Sequence, residues 1–166
     1  AALNILEVQL YTGELLKLKE FYKNIMGLEI LSNPDFSFSV KAGTTILTFI
    51  EDETVKDPYY HFAFNIPENS INKAVKWLET KAELIEYGES TIISFPNWNA
   101  HSLYFYDPAG NIVEFIARHN LSNSTNAEFS PASLLSISEV GMPTQSVKNF
   151  HNTLNQMLDE KLWWGN

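Results

Sequence analysis

The chain has 166 residues, 45% of them hydrophobic, a formal net charge of −9 and no cysteine. That length and apolar share suffice for a compact core, while the acidic balance excludes the basic face a nucleic-acid binder needs. Zero cysteine excludes disulfides, thiolate nucleophiles and cysteine-held metal.

Along the chain, ILEVQLY alternates as a half-buried strand does, with Leu6, Val8 and Leu10 on one face and Glu7, Gln9 and Tyr11 on the other. Thr12 is placed to cap a helix, ELLKLKEFYKNIM, that stops at Gly27. Three strand-like runs follow, LEILS, FSFSV and TTILTFI, giving a β-α-β-β-β unit. From Tyr59 the order recurs: strand YYHFAFNI, helix NSINKAVKWLETK, then ELIEYG, TIISFP, HSLYFY and NIVEFIA, the last two joined by DPAG. Residues 120–134 are rich in Ser and Asn and read as a linker. A strand, LLSISEVGMP, and a helix, TQSVKNFHNTLNQMLDEKLWW, then resemble the start of a third unit, with Glu139 aligned to Glu7 and His61. No apolar run reaches the about 18–20 residues of a membrane span, and AALNILEV lacks a signal peptide's head, so a cytoplasmic protein without membrane attachment is expected.

Setting the two units in register aligns Glu7 with His61 and Thr48 with Glu114, all on the strand faces turned away from the helices. Taken singly, a strand histidine is more often a hydrogen-bonded core residue than a ligand. An imidazole and two carboxylates meeting on apolar walls, however, would be costly without a cation to neutralise them. The turn DPAGN is chiefly structural: Asp107, Pro108 and Gly110 set the hairpin register that aims Glu114 inward.

Paired β-α-β-β-β units closed by YFYDPAGNIVE resemble the vicinal oxygen chelate superfamily, which includes glyoxalase I, extradiol dioxygenases and fosfomycin- and bleomycin-resistance proteins. The resemblance covers residues 3–119, with modules about 3–50 and 59–119, linker 120–134, and an incomplete third module at 135–166. It implies an α+β fold of paired βαβββ modules, with a curved mixed sheet around a cavity. It also implies a divalent metal (Fe, Mn or Zn) held by Glu7, His61 and Glu114, with Thr48 departing from the four-ligand pattern. Tyr104, ten residues before Glu114, takes the place of the acid–base tyrosine of ring-cleavage dioxygenases. Gln9, Tyr11, Thr48, Trp98 and His101 are the candidate substrate-binding residues, although His101 reaches the cavity only if the strand bulges near Asn97 to Ala100. Trp98, like Trp163 and Trp164, could instead cover a sheet edge, and His119 and His151 are expected near the surface.

Two functions follow as expectations. One is a metal-dependent lyase, isomerase or dioxygenase binding a small substrate through vicinal oxygens. The other is a metal-free protein that sequesters a cationic aromatic ligand, to which the acidic balance is suited. Association of copies is expected in either case, through the segment after residue 134 or through the helical surfaces, with a homodimer as one form.

Overall fold

The computed structural model describes residues 4–141; the helix expected after Pro143, with His151, Trp163 and Trp164, lies outside them. Strand β1 (Glu7–Thr12) keeps the alternation of its sequence, burying Val8, Leu10 and Thr12. The Thr12 hydroxyl accepts the Glu14 N–H at 2.9 Å and turns the chain into α1 (Leu15–Glu20). The expected single helix then widens into a π turn, Phe21–Ile25, in which the Met26 N–H bonds to the Phe21 carbonyl five residues back at 2.8 Å. That turn directs both Phe21 and Tyr22 into the core. Gly27, at φ 76°, closes the helix in a conformation that suits glycine.

The first module continues through β2 (Glu29–Ser32), β3 (Ser37–Ala42) and β4 (Thr45–Glu51), and the second comprises β5 (His61–Ile66), α2 (Ile71–Leu78), β6 (Ile93–Phe95), β7 (Ala100–Tyr106) and β8 (Ile112–Arg118). One sheet has the order β1-β4-β3-β2; the other is β6-β7-β8-β5-β9, where β9 (Ser136–Gly141) is the strand expected to open a third module. First and last strands pair in parallel in both modules, β1 with β4 and β5 with β8, while β9 runs antiparallel along the other edge of β5. This is the expected α+β fold of βαβββ modules.

The helix-facing sides of the two sheets share one core. Phe49 meets Phe62 at 6.5 Å between ring centroids, Phe21 meets Phe105 at 6.3 Å, and Tyr22 stacks on Phe49 at 5.4 Å. Each such fully buried ring contributes on the order of 2 kcal/mol through lost apolar exposure. At the seam, the Tyr22 hydroxyl donates to Asp107 Oδ2 at 2.7 Å. Asp107 also accepts the N–H groups of Ala109 and Asn111 and the Asn111 amide, so the DPAGN turn is tied to itself and to the first module's helix. Burial nevertheless raises the Asp107 carboxyl from 3.8 to about 6, because the donors offset only part of the lost hydration.

Three expectations change. Leu6, expected on the same face as Val8 and Leu10, is 70% exposed, because none of the described residues covers the start of β1. ELIEYG forms only isolated bridges, Leu84 to Phe105 and Tyr87 to Ser90, within the long connection from α2 to β6. The expected linker is strapped along α2: Asn123 and Thr125 bond Glu68 and Asn69, the Lys73 ammonium donates to the Ala127 carbonyl, and Phe129 packs between Trp77 and Phe115.

Candidate functional site

The shared core decides where the expected ligands go. Because the sheets meet through their helix-facing sides, the opposite faces point away from that core, and the four aligned positions divide between them. On the second sheet, hairpin pairing sets Tyr104 directly opposite Glu114, and parallel pairing sets Glu114 beside Ala63. Ala63 in turn pairs with Glu139. Tyr104, Glu114, Ala63 and Glu139 therefore form one row across four strands on one face, since paired residues share a face. The spacing of ten between Tyr104 and Glu114 is the arithmetic of the DPAGN hairpin that joins their strands.

Glu114 is fully buried and its carboxylate is held from two sides. The Ser102 hydroxyl donates to Oε1 at 2.7 Å, and His61 Nε2 lies 2.8 Å from Oε2. His61, itself 6% exposed, comes from the neighbouring row. The Tyr104 hydroxyl is buried without a hydrogen-bond partner of normal geometry, yet near enough to Glu114 to feel its charge. Burial first, then the negative charges of Glu114 and Glu139, hold that phenol protonated well above its ordinary range. The surroundings are apolar: Ile85, Ile93 and Phe95 pack with Tyr104 and Ile112, and Trp98 lies against Ala63, Ala100 and Ile116. Trp98 is thus a wall of this face, one of the two alternatives its sequence left open.

Glu139 is held by Arg118, whose Nη2 donates to it at 2.7 Å while Nε donates to Asn65 Oδ1 at 3.1 Å. Sequence alignment had placed Glu139 at a position equivalent to Glu7 and His61 without assigning it to the site. Only the pairing of β9 with β5 brings it into the row, and a repeat whose remainder is not in view gave no signal for that.

The other candidates lie elsewhere. Glu7, Gln9 and Tyr11 are exposed on the outward face of the first sheet, where the Gln9 amide donates to Glu7 Oε1 at 3.0 Å. Thr48 is on that sheet too, its hydroxyl 2.7 Å from that of Ser39. The three-ligand set Glu7, His61 and Glu114 is not assembled, and among the described residues no group of three or more His, Asp or Glu side chains is placed to hold a metal. His101 sits in a regular part of β7 between Ser94 and Ala117, so it faces away from Ser102 and Tyr104. The bulge that would have turned it inward is absent there, and its Nδ1 is 2.7 Å from His119 Nε2.

Comparison with known proteins supports the fold. A family model described as the Glyoxalase/Bleomycin resistance protein/Dioxygenase superfamily matches residues 4–115. No curated protein matches the sequence. Among solved structures, a lactoylglutathione lyase from Agrobacterium tumefaciens is 25% identical, with a TM-score of 0.55 over 68% of this chain and 91% of its own. An integron cassette protein from the mobile metagenome of Halifax Harbour sewage outfall is 26% identical, with a TM-score of 0.58 over 69% and 97%. A mutant of the fosfomycin resistance protein FosX from Listeria monocytogenes, complexed with Mn(II) and a dihydroxypropylphosphonic acid, shares the fold at 18% identity and a TM-score of 0.54, over 71% and 92%. Among the described residues no helix is long and apolar enough to cross a membrane.

Proposed function

The chain belongs to the glyoxalase/bleomycin resistance protein/dioxygenase superfamily, and from that premise we propose that it is a metal-dependent enzyme acting on a small molecule with two adjacent oxygens. The observation that carries this reading is the fully buried Glu114 carboxylate, held by His61 and Ser102, with the unpartnered Tyr104 hydroxyl beside it. A buried carboxylate and an imidazole whose donor atoms converge to 2.8 Å are a chemically suitable pair for Fe, Mn or Zn. His61 and Glu114 would hold the ion, and Glu139, once it leaves Arg118, is the further carboxylate of the same row. Glu7 has no part in this set. That a fold neighbour was solved with Mn(II) and a vicinal diol supports the reading.

A bound divalent cation would supply Lewis-acid polarisation of the substrate oxygens. The protein supplies the rest. Ser102 fixes the orientation of Glu114. Tyr104, kept neutral by burial and by its acidic neighbours, is a hydrogen-bond and proton donor to a substrate oxygen at neutral pH rather than a base. Ile85, Ile93, Phe95 and Trp98 exclude water from the row, which strengthens every polar contact within it. We place the protein in the cytoplasm.

Elemental analysis after dialysis against a weak chelator tests the proposal. Near-stoichiometric metal is expected in the wild type and none in Glu114→Gln. Absence of metal from the wild type, with none taken up from added Mn(II), Fe(II) or Zn(II), would transfer support to the metal-free reading. That reading has its own observation, since His61 and Glu114 already satisfy one another, and it predicts calorimetric binding of a cationic aromatic compound.

A further inference from the structure

Two of the chain's four histidines, His101 and His119, meet on the side of the second sheet that faces away from Glu114, in a cluster the site above does not use. His101 lies on β7 and pairs with Ala117. His119 follows β8 directly, its N–H bonded to the Asn99 carbonyl at 2.9 Å, so the two rings are diagonal neighbours on one face of a hairpin. The strand ends that carry them are fastened to one another: Asn99 adopts a left-handed conformation, φ 48°, and its amide donates to Asn120 Oδ1 at 2.8 Å.

Nδ1 of His101 and Nε2 of His119 stand 2.7 Å apart, with the ring planes at 71°. At that separation one of the two atoms carries a proton and the other a lone pair. The far side of His119 decides which. Its Nδ1 lies 3.4 Å from Glu68 Oε2, and the Ser124 hydroxyl donates to the other oxygen of that carboxylate. The Ser124 hydrogen bond, with a smaller contribution from His119, holds the Glu68 carboxyl below its ordinary range despite partial burial, so Glu68 is an acceptor. His119 therefore turns its Nδ1–H to Glu68 and presents the Nε2 lone pair to His101.

An imidazole with one nitrogen fixed by a carboxylate and a lone pair on the other is oriented as metal-ligating histidines are. Two neutral nitrogen donors suit Ni(II), Cu(II) or Zn(II) better than Mg(II) or Ca(II). Zn–N bonds of about 2.0–2.1 Å at a tetrahedral angle require nitrogens about 3.3 Å apart, so the rings need part by only about 0.6 Å, a motion open to the soft χ2 torsion of histidine. His101 accommodates an ion by moving its proton from Nδ1 to Nε2. Solvent reaches the cluster, since 27% of the His119 side chain and 26% of that of Glu68 are exposed, and the net charge of −9 favours the approach of a cation.

We propose that His101 and His119 form a metal site separate from His61 and Glu114: a two-imidazole chelate for Ni(II), Cu(II) or Zn(II), oriented by Glu68 and completed by water. Glu68 holds the far nitrogen of His119 and does not share the ion. A bound ion fastens the ends of β7 and β8 to the start of α2 and, through Ser124, to the strap that leads to β9.

Equilibrium dialysis of Ni(II) against the Glu114→Gln chain tests this with the other set disabled, so the result is independent of the reading proposed for His61 and Glu114. One equivalent is expected. His101→Gln and His119→Gln should each raise the dissociation constant at least tenfold, and Glu68→Gln, which removes no coordinating atom, by about tenfold with the stoichiometry unchanged. In the unsubstituted chain, Zn(II) should shift the nitrogen NMR resonances of His101 Nδ1 and His119 Nε2. No uptake by a folded Glu114→Gln chain, uptake indifferent to both histidine substitutions, or nitrogen shifts confined to the other histidines would each overturn the proposal.

Discussion

The outward faces of the two sheets are built from equivalent strands, yet the first leaves Glu7, Gln9 and Tyr11 exposed to water while the second buries Tyr104, Glu114 and His61. In the first module the row runs Ser39, Thr48, Gln9; the two hydroxyls, both buried, satisfy each other 2.7 Å apart, and Gln9 is exposed. In the second the equivalent row runs Tyr104, Glu114, Ala63, and a carboxylate is fully buried. The difference lies in one connection. Helix and next strand are joined by residues 26–28 in the first module and by 79–92 in the second, and Ile85 of the longer segment, its N–H bonded to the Tyr104 carbonyl, packs against Tyr104 at the edge of the row. The repeated framework aims side chains; a loop that only one copy possesses decides whether they work in water or out of it.

Substitutions can break or sharpen this contrast. The largest effect is expected at the second sheet's face: His61→Ala removes the imidazole 2.8 Å from the buried Glu114 carboxylate, and should cost about 4 kcal/mol in a denaturant titration. Loss below about 1 kcal/mol would mean that the pair is not desolvated as described. Next comes the seam that keeps the faces apart. Asp107 binds its proton more tightly in the folded state, so its contribution is fullest below pH 3.8 and is lost as pH rises through about 6, by up to about 3 kcal/mol. Thermal melts from pH 4 to pH 8 should show that loss in the wild type, and Asp107→Asn should remove it from the profile.

Smaller effects sharpen the comparison. Tyr104→Phe deletes a buried hydroxyl with no partner, and should raise stability by up to about 1 kcal/mol while abolishing proton donation to a bound substrate. A marked destabilisation would show that the hydroxyl is structural. Glu7→Gln, on the first sheet's exposed face, should change stability by less than about 0.5 kcal/mol and leave metal content unaltered.

Much of this was legible in the chain. Alternation placed Val8 and Leu10, Phe62 and Phe64, and Val113 and Phe115 on the buried side, and the same alternation aimed His61 and Glu114 together on the other. DPAGN fixed the register that sets Tyr104 opposite Glu114. The grouping of Glu7 with them was not legible, because strand period identifies two faces per sheet without saying which faces of two sheets will meet. ELIEYG was legible only in part: Leu84 bridges Phe105 and the Ile85 N–H bonds to the Tyr104 carbonyl at the edge of β7, but the pairing stops short of a strand. The strap at 120–134 is polar because it lies on the outer surface of α2, so its composition resembled that of a free linker.

The position of β9 bears on how the molecule is made. A ribosome adding about 5–20 residues per second needs roughly 1–5 seconds to pass from the end of β8 at Arg118 to the end of β9 at Gly141. Hairpins form in microseconds and non-local pairings in milliseconds to seconds, so β5 can join β8 while its other side still has no neighbour. For that interval each nascent chain on a polysome presents the same open strand to the chains beside it, and the strap at 120–134 is what delivers β9 to close it.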